Sequence, residues 1–116
     1  MPIRLKRAYD EIGADDGIRI LVDRIWPRGV SKKDLQLDKW MKEIAPSDKL
    51  RKWFDHDPEK FEEFRKRYWQ ELDDNSDSVR QLTEMAGDQD LTLVYGAKDR
   101  EHNQAVVLKE YLEKNI

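Results

Sequence analysis

The chain has 116 residues, a formal net charge of −3 and no cysteine, which indicates a single domain and excludes disulfides, a thiol nucleophile and thiolate metal sites. Charged residues make up 41% of the sequence, and their negative balance disfavours a general nucleic-acid binder. No apolar run approaches the ~20 residues of a membrane span, and the sequence does not begin like a signal peptide. We therefore expect one soluble, cytoplasmic domain over residues 1–116 that needs no cofactor.

The first third of the chain predicts two strands and a broken loop. The apolar side chains of residues 3–9 fit a short strand, and residues 18–22 are β-branched and leucine-rich, as in a strand that is buried on both faces. Proline and glycine within residues 26–29 end this extended region. Residues 31–38 predict one helical turn followed by a loop, and residues 40–44 fit either a third strand or a short helix.

Capping residues mark two helices in the middle of the chain. Ser47 precedes the first, and Asp57 precedes the second, with Pro58 at its first position, where proline is best tolerated. Apolar side chains three and four positions apart give each helix a buried face. These are Leu50, Trp53 and Phe54 in the first helix, and Phe61, Phe64, Tyr68 and Leu72 in the second.

The last part of the chain predicts two helices around a strong strand. Ser78 with Gln81 resembles a capping box, and Gly87 is placed to end that helix. Residues 91–95 give the strongest strand signal. The final helix carries Ala105, Leu108 and Leu112 on one face.

This order of elements predicts an α/β fold, a single-domain Rossmann-like sandwich with a small, mainly parallel sheet flanked by helices. The helical spacing and the apolar strand also predict which side chains form the core. They are Phe61, Phe64, Leu91, Leu93, Val94, Leu108 and Leu112.

The first candidate site follows the second strand, where Asp23, Arg24, Trp26 and Arg28 lie within one short loop. Arginine binds phosphate or carboxylate through paired hydrogen bonds, tryptophan stacks on a flat ring, and aspartate accepts a proton or a hydroxyl hydrogen bond. The alternative is structural: Asp23 pairs with an arginine to hold the loop, and Trp26 fills the core. The two interpretations are compatible.

Positive charge is concentrated in the part of the chain that holds this cluster. Residues 1–33 contain eight lysines and arginines against five acidic residues, a net of +3, whereas residues 34–116 contain fourteen against twenty, a net of −6. This excess fits a phosphate-bearing ligand, and it equally fits a solvated basic edge.

The second candidate site lies between the strand at residues 91–95 and the last helix. It contains Lys98, Asp99, His102 and Asn103, and a strand followed by a glycine and a helix start favours anion binding by backbone N–H groups. The spacing matches neither a Walker loop nor a dinucleotide-binding glycine motif. Asp99 or Asn103 alternatively serves only as the helix cap.

We predict that the two clusters form a shared site, because parallel neighbouring strands place their carboxyl ends at one edge of a sheet. In this site Asp23 or His102 supplies acid–base chemistry. Arg51 and His56 close it from a neighbouring helix, and no metal is predicted, because the two histidines lack metal-binding spacing. The ligand-binding residues are Arg24, Trp26, Arg28, Arg51, His56, Lys98, Asp99 and Asn103.

Five motifs occur in order along the chain: L-V-D-R-I-W-P-R-G (21–29), A-P-S (45–47), L-R-K-W-F-D-H-D-P (50–58), R-Y-W-Q-E-L (67–72) and L-V-Y-G-A-K-D-R-E-H-N-Q-A-V-V-L (93–108). Together they closely resemble domain-of-unknown-function family 488, in its YeaO-like branch. The resemblance covers nearly the whole chain and implies a bacterial Rossmann-like α/β domain without an established activity. Other branches of that family look like they carry a Cys-His-Arg motif after the last strand. This chain has no cysteine there, so their chemistry does not carry over to it.

Two functions of different classes fit these observations. The leading hypothesis is a small enzyme or binding domain for a nucleotide-like or other phosphate-bearing ligand. The alternative is a non-catalytic protein-interaction module, in which Trp40, Trp53 and Trp69 form the surface, because aromatic residues anchor protein interfaces. Exposed tryptophans favour the second hypothesis, and buried tryptophans beside a polar cleft favour the first. The oligomeric state stays open.

Overall fold

The computed structural model describes residues 3–115, which form four strands and five α-helices. In chain order the elements are β1 (Ile3–Arg7), β2 (Ile18–Leu21), α1 (Lys32–Leu35), β3 (Lys39–Trp40), α2 (Asp48–Phe54), α3 (Phe61–Asp73), α4 (Ser76–Asp88), β4 (Leu91–Tyr95) and α5 (Gln104–Lys114). Short 3₁₀ turns, Lys42–Ile44 and Pro58–Lys60, precede α2 and α3.

The sheet has four strands in the order β1-β4-β2-β3, and each neighbouring pair is parallel. The strand that comes last in the sequence, β4, lies between β1 and β2, and all five of its residues are buried. A strand that is paired along both edges and covered on both faces has no place for charged side chains, which explains its apolar sequence. The predicted α/β class and parallel sheet are confirmed.

Successive residues of β4 point to opposite faces of the sheet and divide the core in two. Leu91 and Leu93 pack in the main core with helices α2 to α5, whereas Val94 packs with Leu21 and Leu35 in a smaller cluster on the other face. All seven side chains predicted for the core are buried. Among residues 3–115, no helix is long and apolar enough to cross a membrane.

Two predicted helix caps are confirmed and a third is wrong. Ser47 accepts a backbone N–H at the start of α2, and Asp57 does so at the turn before α3. The fourth helix instead begins at Ser76, so Ser78 is buried inside it and forms no capping box with Gln81. The Gln81 side chain accepts a hydrogen bond from Lys39 Nζ at 3.1 Å.

Two further segments refine the predicted boundaries. Gly87 does not end α4, which continues to Asp88, because this glycine does not adopt the left-handed backbone that ends a helix. Residues 39–44 contain both of the predicted alternatives, a two-residue strand and then a 3₁₀ turn. Trp40 ends the strand, and this places its ring against the loop that follows β2.

Candidate functional site

The loops that follow β2 and β4 leave the sheet at the same edge, because these strands are parallel neighbours. Asp23 is the second residue after β2, and Gly96 is the first residue after β4. The N–H of Gly96 donates a 2.8 Å hydrogen bond to Asp23 Oδ2, which ties the two loops together. The predicted juxtaposition of the two strand ends is therefore present.

A cavity of about 440 Å³ opens at this edge, between the two strand ends and helix α2. Its polar lining comes from the loop after β2, from α2 and the turn that follows it, and from the start of α5. The ionisable and amide side chains that line it are Asp23, Arg24, Arg28, Arg51, His56 and Gln104 from these segments, and Tyr9 from the turn after β1. Six of the ten side chains that the sequence predicts for the site line the cavity: Asp23, Arg24, Trp26, Arg28, Arg51 and His56.

Asp23 is held by neutral donors. Besides the N–H of Gly96, the side-chain amide of Gln104 donates a hydrogen bond to Asp23 Oδ1. Burial raises the pKa of Asp23 to about 6, although both hydrogen bonds act in the opposite direction by favouring the carboxylate. No ion pair involves Asp23 within residues 3–115. The alternative that an arginine pairs with Asp23 to hold the loop is therefore wrong.

The backbone around Gly96 is fixed from both sides. A side chain at this position would place its Cβ 3.1 Å from Asp23 Oδ2, so the glycine leaves room for the carboxylate. On the other side, Arg7 Nε donates a 2.8 Å hydrogen bond to the carbonyl of Ala97. These contacts keep Asp23 in place without a compensating positive charge.

Arg24 forms part of the cavity wall and is largely engaged. Its guanidinium donates hydrogen bonds to the carbonyls of Pro46 at 3.1 Å and Ala45 at 3.3 Å. The same segment is held by α3, where Glu71 accepts hydrogen bonds from the N–H and the hydroxyl of Ser47 at 2.8 and 2.6 Å. The residue thus positions the loop before α2, in addition to lining the cavity.

Arg28 and Arg51 present less restrained guanidinium groups. Arg28 is exposed, and its carbonyl accepts a 2.8 Å hydrogen bond from the hydroxyl of Tyr9, which holds the backbone while the side chain lines the cavity. Among residues 3–115, the Arg51 side chain forms an ion pair only with the exposed Asp48, at 3.4 Å, and its Nε is buried without a hydrogen-bond partner. Both cations are placed to meet an anion at the mouth of the cavity.

His56 lies in a turn whose backbone is strained. Asp55 and His56 both adopt left-handed conformations, with φ of 47° and 56°, which residues other than glycine rarely adopt. This turn ends α2 and places the exposed imidazole beside the cavity. Strain of this kind persists only where the surrounding structure enforces it, and it is concentrated at functional sites.

Trp26 is both a cavity wall and a core residue. Its indole N–H donates to the carbonyl of Val30 at 2.6 Å, and its ring meets the edge of Trp40 with centroids 5.3 Å apart. Trp40 in turn donates to the carbonyl of Asp23 at 2.7 Å. The structural interpretation of Trp26 is thus supported, and its contribution to the cavity is a fixed surface.

The second predicted cluster lies beside the cavity. Lys98 is exposed and does not line it. Asp99 accepts hydrogen bonds from the N–H groups of Glu101 and His102 and from His102 Nδ1 at 2.9 Å. Asn103 caps α5 through its side-chain oxygen, as the structural alternative proposed. Within residues 3–115, no group of three or more acidic, histidine or cysteine side chains is placed to hold a metal ion.

Of the two groups that hold Asp23, sequence reasoning did not identify Gln104 and considered Gly96 only as the glycine between the strand and the last helix. Gly96 carried a usable signal, since it follows the strongest predicted strand directly. Gln104 is the first residue of α5, and only the topology shows that this helix begins opposite Asp23. A helix start in the sequence does not by itself reveal which strand end it faces.

Comparison with known proteins identifies relatives along the full chain. Residues 2–116 match the family described as "Inactive DUF488-N3 subclade". The uncharacterised protein YeaO of Escherichia coli K12 is 46% identical over 112 residues, which is 97% of each chain. The uncharacterised protein Rv3073c of Mycobacterium tuberculosis H37Rv is 41% identical over 110 residues, which is 95% of this chain and 92% of that one. No solved structure matches the chain significantly. The chain therefore belongs to the DUF488 family, in the subclade described as inactive, and it is similar to YeaO.

Proposed function

We propose that the cavity at the carboxyl ends of β2 and β4 binds a small phosphate-bearing ligand with a flat apolar body, such as a nucleotide, and that it does so without turnover. The observation that carries this proposal is the charge of the lining. Three arginines, Arg24, Arg28 and Arg51, line the cavity together with one carboxylate, that of Asp23. Positive charge in a concave site attracts anions because its low-dielectric walls focus the field.

The two arginines nearest to solvent are the expected phosphate ligands. The Arg51 guanidinium makes a 3.4 Å contact with an exposed carboxylate, that of Asp48, so a phosphate competes with a weak partner. The guanidinium geometry matches phosphate oxygens in pairs, which makes arginine a stronger ligand than lysine at such a site. His56 adds a further donor beside them.

The remaining lining supplies apolar surface for the body of the ligand. Phe54 and Phe64 stack with centroids 4.2 Å apart at one wall, and Pro27 lies at another. Ile25 is 57% exposed and lines the same cavity, so its side chain is available to contact the body of a ligand. The volume of about 440 Å³ lies within the usual range for small-molecule sites, roughly 300–1,000 Å³.

Binding without catalysis is the better supported form of this function. Of the two residues predicted for acid–base chemistry, only Asp23 lines the cavity, whereas His102 is engaged by Asp99 and by the ring of Phe61 at 5.1 Å. The description of the subclade as inactive favours the same conclusion. We propose that the protein does this in the cytoplasm.

The tryptophan surface receives less support. Trp40, Trp53 and Trp69 are all partly buried, and basic side chains lie over their rings. Lys42 lies 4.1 Å from the centroid of Trp40, and Arg67 lies 4.1 Å from that of Trp53. Rings that already carry a cation offer little apolar area to a protein partner.

A two-step experiment tests the binding proposal. A thermal-shift screen of nucleotides, sugar phosphates and carboxylates is expected to raise the melting temperature for phosphate-bearing aromatic compounds, since ligands of the folded state stabilise it. Calorimetry with phenyl phosphate then measures affinity in the wild type, in Arg51→Met and in Arg80→Met. Arg80 is a matched control, because it also pairs with an aspartate three residues earlier, Asp77, but lies outside the cavity.

We expect Arg51→Met to weaken phenyl phosphate binding by about tenfold, because a charge-assisted hydrogen bond is lost, and Arg80→Met to leave it unchanged. The proposal is contradicted if no phosphate-bearing compound binds, or if the two variants lose affinity equally.

A further inference from the structure

We infer that the ligand presents an N–H donor group to Asp23, so that this cavity takes an anion that also carries an amine, an amidine or a nucleobase-type N–H edge. This inference rests on the proposed function and specifies its ligand class. It assigns different tasks to two parts of the lining, with the anion at Arg28 and Arg51 and the donor at Asp23.

Asp23 is a carboxylate in the proposed anion-binding cavity, and its negative charge repels the phosphate of the ligand. Neither of its hydrogen bonds comes from a cation, since both Gly96 and Gln104 donate through neutral amides. A partly buried carboxylate without a positive partner is unfavourable unless it serves an interaction that a neutral side chain would not provide. A ligand donor is such an interaction.

The arginines of the cavity do not act as the positive partner of Asp23. Arg24 is turned toward the carbonyls of Ala45 and Pro46, and its only ion pair in the described part of the chain is a 3.8 Å contact with Asp48. Arg28 and Arg51 form no ion pair with Asp23 among residues 3–115. The negative and positive groups of the lining therefore stay separated, as a bifunctional ligand requires.

The Asp23 carboxylate can accept further hydrogen bonds from a ligand. An ionised carboxylate is an acceptor with about four lone-pair sites, and the two protein donors use only part of that capacity. Hydrogen bonds to a charged acceptor are roughly twice as strong as neutral ones. A ligand that presents an N–H group to Asp23 therefore binds more tightly, and a ligand that presents a carbonyl or phosphate oxygen there binds more weakly. Ligand specificity thus comes from Asp23, and general attraction comes from the arginines.

Two probes with the same aromatic ring test the donor contact at Asp23 and the anion contacts at the arginines separately. Benzamidine, a cation at neutral pH, carries N–H donors and no anionic group, and phenyl phosphate carries the anion and no N–H group. Calorimetry measures both affinities in the wild type, in Asp23→Asn and in Asp77→Asn, an exposed carboxylate of α4 that serves as the control. Asp23→Asn is expected to fold, because its amide oxygen accepts from Gly96 and its NH₂ meets a rotated Gln104.

We expect Asp23→Asn to lower benzamidine affinity by about tenfold or more while phenyl phosphate affinity is kept or raised. Asp77→Asn is expected to change neither. The inference is overturned if benzamidine does not bind the wild type, or if it binds Asp23→Asn equally well.

The result also separates this inference from the binding proposal. If phenyl phosphate binds and benzamidine does not, the anion site is supported and the donor subsite is ruled out. If benzamidine binds and phenyl phosphate does not, only the anion site is ruled out. A measurement on the wild type avoids any effect of substitution on folding: benzamidine is expected to shift the amide NMR signal of Gly96, which contacts Asp23 directly. An unchanged Gly96 signal at saturation would place benzamidine elsewhere and overturn the inference.

Discussion

Asp23 and Gly96 lie 73 positions apart in the sequence, and a 2.8 Å hydrogen bond joins the carboxylate of the first to the backbone N–H of the second. This contact connects the ends of β2 and β4, and both residues line the cavity. Burial of the carboxylate raises the pKa of Asp23 to about 6. No ion pair within residues 3–115 stabilises its charged form.

The pH dependence of stability is expected to report on Asp23. Its pKa is about 6 in the folded protein against an ordinary value of 3.8, so the folded state binds the proton more tightly between these values. The stabilisation from this protonation is complete below about pH 4 and is lost as pH rises through 6. Asp23→Asn does not titrate, so we expect it to exceed the wild type at pH 7.5 by about 2–3 kcal/mol in unfolding free energy.

Urea unfolding of both proteins at pH 4 and pH 7.5 checks this prediction. The difference between variant and wild type is expected to be small at pH 4 and to grow with pH. Other carboxyl groups titrate equally in both proteins and cancel in the difference. A variant that is less stable than the wild type at pH 7.5 would show that the Asp23 carboxylate is structural.

Gly17 is expected to tolerate no side chain, because its backbone φ is 64° and a Cβ would lie 2.2 Å from the carbonyl oxygen of Asp90. We predict that Gly17→Ala lowers the unfolding free energy by more than about 2 kcal/mol. Gly87→Ala is the matched control: Gly87 is helical, and nothing lies within 4 Å of its added Cβ. That variant is expected to match or exceed the wild type by up to about 1 kcal/mol. Equal melting temperatures for the two variants would refute the close approach at Gly17.

Phe64 joins the core to the cavity. It is 1% exposed and stacks on Phe54 at 4.2 Å. Phe64→Ala should lower the unfolding free energy by about 3–5 kcal/mol, the loss typical of a buried aromatic residue. The exposed neighbour Lys66, replaced by alanine, should leave the urea midpoint nearly unchanged. A small effect of Phe64→Ala would mean that the helix packs against the sheet differently.

Arg28 and Lys98 were both predicted to bind the anion, and their positions now separate them. Arg28 lines the cavity and makes no ion pair with Asp23, so Arg28→Ala is expected to weaken phenyl phosphate binding severalfold at unchanged melting temperature. Lys98 is exposed outside the cavity, and Lys98→Ala is expected to keep full affinity. Should Lys98→Ala weaken binding as much as Arg28→Ala, the ligand would occupy the second loop instead.

The sequence predicts the strands better than it predicts the site. The apolar run in β4 and the caps at Ser47 and Asp57 act through local physics, so their positions follow directly from the residues. The capping box at Ser78 failed because burial of that side chain, a tertiary effect, determines where α4 begins. The site depends on tertiary structure throughout: Gln104 reaches Asp23 only because α5 begins opposite β2.

The most direct test of the account is a two-dimensional ¹H–¹⁵N NMR titration of the labelled wild-type protein with phenyl phosphate. The account predicts saturable shifts confined to one cluster, comprising the amides of Ile25, Arg28, Arg51, His56 and Ala97, with little change along α4. It is contradicted if no signal shifts, or if the shifted signals lie on α4 or around Lys98 and Asn103 while those of the cavity stay in place.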